Sequence, residues 1–308
     1  MFWEDKRVLV TGADGFAGAH LCEELLKEGA EVRAFIRSGA IKNLESLEGI
    51  EIARGDVLDA QSLKNAMKQI DIVFHAAALT LIPETRAMMT NTFSINAGGT
   101  LNVLLAAKER AVKRVVYVST CHVYGKQENF PITEKSRPNP IDIYSSSKLA
   151  AEHLCTSFVK MFGLDVLISR AFNHFGPRQR QEFLIPEVIT KLLREDELTL
   201  GNPKPTRDYS YVKDVVRGYL LLAQHGQPDE VYHFCTGVER SVKEILETII
   251  RVGGFSSEPK WNPAHRKVDI PRSYGDFSKA KRELGWEPKV SFEEGIRKTI
   301  EWYKDKLA

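Results

Sequence analysis

The sequence predicts an α/β protein: a doubly wound parallel sheet with helices on both faces, and a smaller mixed α/β lobe toward the C-terminus. Three observations predict it. Short apolar runs alternate with helical stretches through the first two-thirds of the chain. Several of those runs, such as IVFHAAA and VVYVS, lack polar alternation, as strands buried on both faces do. A glycine-rich turn joins the first run to the first helix, where a parallel α/β unit makes its tightest connection.

The elements follow in order. RVLVTG (7–12) is a strand, and AGAHLCEELLKEG (17–29) is a helix with Leu21, Leu25 and Leu26 on one face and Gly29 as its stop. Strands follow at 31–37 and 50–56, then a helix at 59–69 opened by Asp59. Residues 71–78 form a strand, 96–111 a helix, 114–120 a strand, 145–163 a long helix ending at Gly163, and 165–173 a strand. Beyond 173 the alternation breaks down. FGPRQRQEF and GNPKPTRDY read as loops. Helices are expected at 212–225, at 241–254 behind Ser241, and in KAKRELGW and EEGIRKTIEWYKDKL, with a strand at 230–237. These patterns divide the chain into a first domain over 1–172 and a second lobe over 173–308, with segments near 207–237 returning to the first. No repeat or low-complexity tract interrupts it.

Composition narrows the classes of function. The 308 residues hold 43% hydrophobic and 27% charged residues, with 43 basic against 41 acidic and a net charge of +2. Such balance predicts neither a nucleic acid nor an anionic membrane as partner. No apolar run approaches the ~20 residues of a membrane span, and the N-terminal MFWEDKRVLV lacks the pattern of a signal peptide. Cys22, Cys121, Cys155 and Cys235 are scattered, which predicts reduced thiols, no metal site and a cytoplasmic protein.

Gly12, Gly15 and Gly18 stand in GxxGxxG spacing between strand and helix. There the backbone approaches a dinucleotide pyrophosphate closely, and the helix N-terminus stabilises its charge. The second strand ends without a carboxylate that would hold the ribose 2′-hydroxyl of NAD. It offers Arg37 and Ser38 instead, and a guanidinium suits a 2′-phosphate, which favours NADP over NAD. Asp56, at the end of the third strand, is placed to receive the adenine amino group.

Tyr144 and Lys148 lie four residues apart at the start of a helix and share a face. A cation beside a phenol is expected to lower its pKa and make it an acid/base. Thr120, ending a strand, can add a hydroxyl contact to the reacting oxygen.

Together TGADGFAG, FHAAA, NAGGTLNVL, VSTCHVYG, YSSSK, RAFNHFGP and KAKRELGWEP resemble the extended short-chain dehydrogenase/reductases that modify nucleotide sugars. The similarity spans essentially the whole chain. It implies a Rossmann domain carrying NAD(P), a smaller lobe binding a nucleotide diphosphate sugar, a homodimer formed through the helices around 97–110 and 145–162, and Thr120, Tyr144 and Lys148 as the catalytic trio. The cofactor set is then Gly12, Asp14, Gly15, Phe16 and Gly18 of the turn, Arg37 and Ser38, Asp56 and Val57, Ala76, Ala77 and Ala78, with Tyr144 and Lys148.

In the family's 4,6-dehydratases an Asp and a Glu follow the threonine and serve as acid and base. Here Cys121 and His122 stand there. A neutral thiol is a poor acid for expelling hydroxide, which argues against dehydration. His122 either faces the substrate or bonds a carbonyl. The distal segments look most like GDP-4-keto-6-deoxymannose reductases. Carried over, Asn173 would contact the sugar-nucleotide phosphates, and Arg207 and Arg266 would clamp the diphosphate, helped by Arg178 and Arg180. The RQRQE stretch departs from the family's usual small residues. Three readings remain: a 4-keto reductase of a GDP-linked 6-deoxyhexulose, a UDP-hexose-type 4-epimerase with bound NAD, and a 4,6-dehydratase. A non-catalytic NADP-binding protein is a fourth, against which the Thr120, Tyr144 and Lys148 set argues.

Overall fold

A computed structural model describes residues 2–37, 39, 41–44, 47–262 and 270–307. Seven parallel strands make the main sheet: β1 (Arg7–Thr11), β2 (Glu31–Ile36), β3 (Glu51–Arg54), β4 (Ile72–His75), β5 (Arg114–Thr120), β6 (Val166–Ala171) and, much later in the chain, Val231–Phe234. Their spatial order is 3-2-1-4-5-6 followed by Val231–Phe234, so the order reverses between β1 and β4. In open α/β sheets ligands bind at that reversal, outside the C-terminal strand ends.

Helices α1 (Phe16–Lys27), α2 (Ala60–Ala66), α3 (Ile82–Ala87), α4 (Met89–Phe93), α5 (Gly99–Glu109) and α6 (Ile143–Phe162) connect these strands. A short π-helical turn, Ser94–Gly98, leads into α5, and a 3-10 turn, Cys121–Tyr124, follows β5. Capping explains several boundaries. Asp59 accepts hydrogen bonds from the Gln61 and Ser62 backbone, Asp142 and Ser145 form a capping box on α6, and Gly163 ends α6 in the left-handed conformation.

Strand residues alternate between two apolar layers. Val8 and Val10 of β1 pack with Leu21, Leu25, Tyr219 and Trp286 on one face, whereas Leu9 packs with Val73, Val103, Ala151 and Phe158 on the other.

The remaining elements are β7 (Asn173–Phe175), α7 (Leu184–Leu193), β8 (Thr199–Leu200), β9 (Thr206–Arg207), β10 (Tyr209–Tyr211), α8 (Val212–His225), β11 (the Val231–Phe234 strand), β12 (Arg240–Ser241), α9 (Val242–Gly253), β13 (Lys260–Trp261), α10 (Ser278–Leu284) and α11 (Phe292–Leu307). Helices α7, α9 and α11 enclose a separate core of Ile185, Ile189, Ile245, Ile249, Ile296, Ile300 and Tyr303. Helix α8 packs instead on the main sheet, through Val215, Val216, Tyr219 and Leu222. Among the described residues no helix is long and apolar enough to cross a membrane, and no cluster of three or more metal-ligating side chains occurs.

Candidate active site

The glycine turn fits a dinucleotide backbone for steric reasons. Gly12 has φ +68°, and a Cβ on it would lie 2.8 Å from the Ala77 backbone. A Cβ on Gly18 would lie 2.2 Å from the Gly12 carbonyl oxygen. Side chains are therefore excluded where β1, the segment after β4 and the N-terminus of α1 converge, and a pyrophosphate fits that cradle. Ala76 and Ala77 line the same convergence: the Ala76 N–H donates to the Thr11 carbonyl at 3.3 Å and the Ala77 N–H to the Thr11 hydroxyl at 3.3 Å.

The other expected cofactor residues surround this turn. Asp14 accepts from the backbone N–H groups of Lys42 (3.0 Å) and Asn43 (2.8 Å), so its carboxylate fastens the loop after β2. Phe16 stacks on His174 with centroids 5.5 Å apart and planes 12° apart. Arg37 is exposed at the end of β2. Asp56 accepts from the Leu58 N–H at 2.9 Å, and Val57 is buried against Gly99. Ser38 and Arg266 lie outside the described residues.

Thr120, Tyr144 and Lys148 are all buried, and the Thr120 hydroxyl is the neighbour that favours the charged form of Tyr144. Lys148 donates Nζ to the Val118 carbonyl at 2.6 Å and sits 4.2 Å from the Tyr117 ring centroid. Burial lowers Lys148 to about 8, opposed by Glu152 and Cys155. The expected lowering of the phenol does not appear. Burial holds Tyr144 above its ordinary value, and the Thr120 hydroxyl, rather than Lys148, is the influence in the other direction. Desolvation of the neighbouring phenolate outweighs any attraction from the ammonium, which is directed at a carbonyl.

Cys121 is buried beside Phe172 and Cys235 and pushed up to about 12 by burial. His122 stands edge-on to Tyr144 with centroids 5.9 Å apart. Its backbone N–H donates to the Thr120 hydroxyl at 3.2 Å.

The loop beyond β6 departs from expectation. Arg178 does not project freely toward a diphosphate; it pairs with Glu23 of α1 at 2.9 Å. Arg180 pairs with Glu84 and Glu182. The RQRQE stretch thus spends its charge on carboxylates of the glycine-turn helix and of α3. Arg207 keeps Nη1 on the carbonyls of Thr206 and Ile270, both at 2.7 Å, and acts on the Cys121 thiol through space. Asn173 has a buried Oδ1 without a hydrogen-bond partner, an acceptor suited to a ligand's donor.

Sequence reasoning missed several polar groups around this site. His75 joins the Thr11 and Thr100 hydroxyls at 2.7 and 2.9 Å, and burial holds it neutral at about 3. Asn96, in the π-helical turn, fastens both the N–H and the carbonyl of Leu79 and donates to Ser147 on α6 at 2.9 Å. Glu152 could have been found: it continues the four-residue spacing of Tyr144 and Lys148.

Known proteins resemble this chain in sequence and fold. The family model described as GDP-mannose 4,6 dehydratase matches residues 9–299. Human dTDP-D-glucose 4,6-dehydratase is 32% identical over 97% of this chain and 90% of its own. GDP-6-deoxy-D-mannose reductase of Pseudomonas aeruginosa is 31% identical over 98% of both chains. Among solved structures, UDP-glucose 4-epimerase of Thermotoga maritima superposes with a TM-score of 0.94 at 30% identity, covering 98% of this chain and 100% of that one. The RMD protein of Pseudomonas aeruginosa, complexed with NADPH, gives 0.86 at 29%, covering 98% and 99%. With a switch-point glycine cradle, a buried Thr120, Tyr144 and Lys148 set and similarity along nearly its whole length, the chain belongs to the extended short-chain dehydrogenase/reductases, the nucleotide-sugar dehydratase and epimerase family of enzymes.

Proposed function

We propose that the chain is an NAD(P)-dependent nucleotide-sugar oxidoreductase that reduces the 4-keto group of a GDP-linked 6-deoxyhexulose. The observation that carries this reading is Cys121. Dehydration needs an acid beside Thr120 to protonate the departing hydroxyl, and that position holds a thiol packed among Ile132, Phe172 and Cys235 in place of a carboxylic acid. With His122 the only other titratable side chain of the pair after Thr120, the site keeps the equipment for hydride transfer and lacks that for elimination.

A bound nicotinamide would supply the hydride. Tyr144 donates its phenolic proton to the oxygen that becomes the hydroxyl, and Thr120 steadies that oxygen with a second hydrogen bond. The charged Lys148 stabilises the phenolate left behind. The cofactor lies in the cradle of Gly12, Gly15 and Gly18, with Asp14, Phe16, Asp56, Val57, Ala76, Ala77 and Ala78 around it. Arg37 and Ser38 select NADP. The lobe over 173–308 takes the sugar nucleotide, with segments near 207–237 returning to the domain over 1–172. Asn173, Arg207 and Arg266 hold the diphosphate; Arg178, already paired with Glu23, serves it only indirectly. The protein works as a homodimer, for which exposed Leu105 on α5 and Met161 and Phe162 on α6 offer an apolar face.

The second reading is a 4-epimerase with retained NAD, favoured by the close superposition on a UDP-glucose 4-epimerase. Cofactor content separates the two. A reductase purifies without stoichiometric NAD and binds NADPH reversibly. Tightly held NAD together with interconversion of UDP-hexoses would reject the reductase.

A further inference from the structure

One carboxylate gathers the elements that carry the site. Glu152 lies one turn beyond Lys148 on α6, and Lys148 one turn beyond Tyr144, so the three share a face. The Glu152 side chain is 4% exposed. Arg170 of β6 grips it with Nε at 3.0 and 3.2 Å and Nη2 at 2.6 Å, and Ser119 of β5 donates its hydroxyl to Oε1. Ser119 and Arg170 are register partners across β5 and β6, so both strand ends are fastened to α6 at one point. The remaining Nη1 of Arg170 donates to the Tyr124 hydroxyl at 2.7 Å, and that hydroxyl meets His233 Nε2 at 2.6 Å. Tyr124 closes the 3-10 turn that begins with Cys121 and His122, and Thr120 follows Ser119 directly.

Stability alone does not account for this network. Taking a carboxylate and a guanidinium out of water costs several kcal/mol each, and well-packed apolar residues often serve as well. What a buried carboxylate supplies here is a negative charge near a buried ammonium. The other groups facing Lys148 are Cys155 on its own helix, Tyr117 of β5 and His75 of β4. Burial keeps the phenol and the thiol protonated and the imidazole neutral. Glu152 is therefore the anion that acts on Lys148 among the described residues.

We propose that Glu152, locked by Arg170 and Ser119, is a positioning residue that keeps Lys148 charged and holds the strand end of Thr120 against the helix of Tyr144. The inference rests on the reading of Tyr144 and Lys148 as an acid/base pair.

Its test is a lysine titration on the full-length protein labelled with 13C at lysine Cε. The Lys148 resonance is assigned by its loss in Lys148→Arg. Glu152→Gln keeps the shape and removes the charge; the Lys148 midpoint should fall by about one pH unit, a ten-fold change in its acid dissociation constant. An unmoved midpoint in a folded variant overturns the proposal. Should Glu152→Gln fail to fold with Arg170 left uncompensated, the double variant Glu152→Gln/Arg170→Met is compared with Arg170→Met alone, so that only the Glu152 charge differs between them. The Lys148 midpoint should be lower in the double variant, and equal midpoints contradict the proposal. With a turned-over sugar nucleotide, the alkaline limb of kcat should move in parallel while cofactor affinity stays within a factor of about three, a pattern that a merely structural loss would not give. The titration needs no substrate, so a chain inert toward sugar nucleotides would sink the proposed function and leave the Glu152 result to be judged separately.

Discussion

Tyr144 sits where two opposing demands meet. Burial holds its proton, and the reaction asks it to give that proton up at the moment an oxygen gains charge. A Tyr144→Phe variant keeps the ring and the packing and loses only the hydroxyl. Turnover should drop by a factor of about 10² to 10⁴, while NADPH affinity, measured by fluorescence titration, changes little. Arg37 offers a second residue test. It is exposed at the end of β2 with no ion pair among the described residues. Arg37→Ala should weaken NADPH by about ten-fold and leave NADH unchanged, as expected for loss of one charge-assisted phosphate contact. Equal weakening of both would assign Arg37 no role in selection.

Elements were legible where local chemistry marked their ends. Asp59, Ser241 with Glu244, Gly163 and Gly254 announce helix boundaries, and each makes the expected cap. Helix α7 carried no cap residue, and α3 only Pro83 and Glu84 in its first turn. Each begins after an apolar residue, Leu81 and Phe183, with no side-chain cap. Helix α7 is marked in the sequence only by the i, i+3, i+4, i+7 spacing of Ile185, Val188, Ile189 and Leu192, which pack in the second core. The π-helical turn before α5 was hidden, since its purpose is the distant contact of Asn96 with Leu79 and Ser147. The same division holds within the site. The glycine turn and the Tyr144/Lys148 spacing are local patterns. Arg170 and Glu152 meet only when β6 packs beside α6, and Arg178 finds Glu23 across 155 residues of sequence. At the element scale, Gly18→Ala is the sharp test. Its methyl would strike the Gly12 carbonyl, so α1 must shift from β1. A loss of about 1–3 kcal/mol is expected in urea unfolding, together with a large loss of cofactor affinity. A variant of unchanged stability and affinity would mean that the turn tolerates a side chain.

At the scale of the whole molecule, buried histidines set the response to acid. Burial brings His20 to about 4 and His75 and His233 to about 3. In the unfolded chain each returns to about 6.5. Between pH 6.5 and 4 the unfolded chain therefore binds more protons than the folded one, and stability falls as pH drops through that window. It is fully present above pH 6.5. Each histidine contributes a slope of up to about 1.4 kcal/mol per pH unit. Urea midpoints should fall steeply from pH 6.5 to 4.5 in the wild type and less steeply in His75→Asn. An equal slope in both would show that His75 is protonated in the folded chain. Assembly belongs to the same scale: sedimentation should give a dimer, and charged replacements at Leu105 and Met161 should shift it toward monomer. The most direct test of the proposed chemistry is the oxidation of NADPH, followed by its absorbance, with a panel of GDP-, dTDP- and UDP-linked 4-keto-6-deoxyhexoses. Consumption with the GDP-linked ketose, absent in Tyr144→Phe, is the expected result. No consumption with any ketose, from protein that carries bound NAD and interconverts UDP-hexoses, would contradict it.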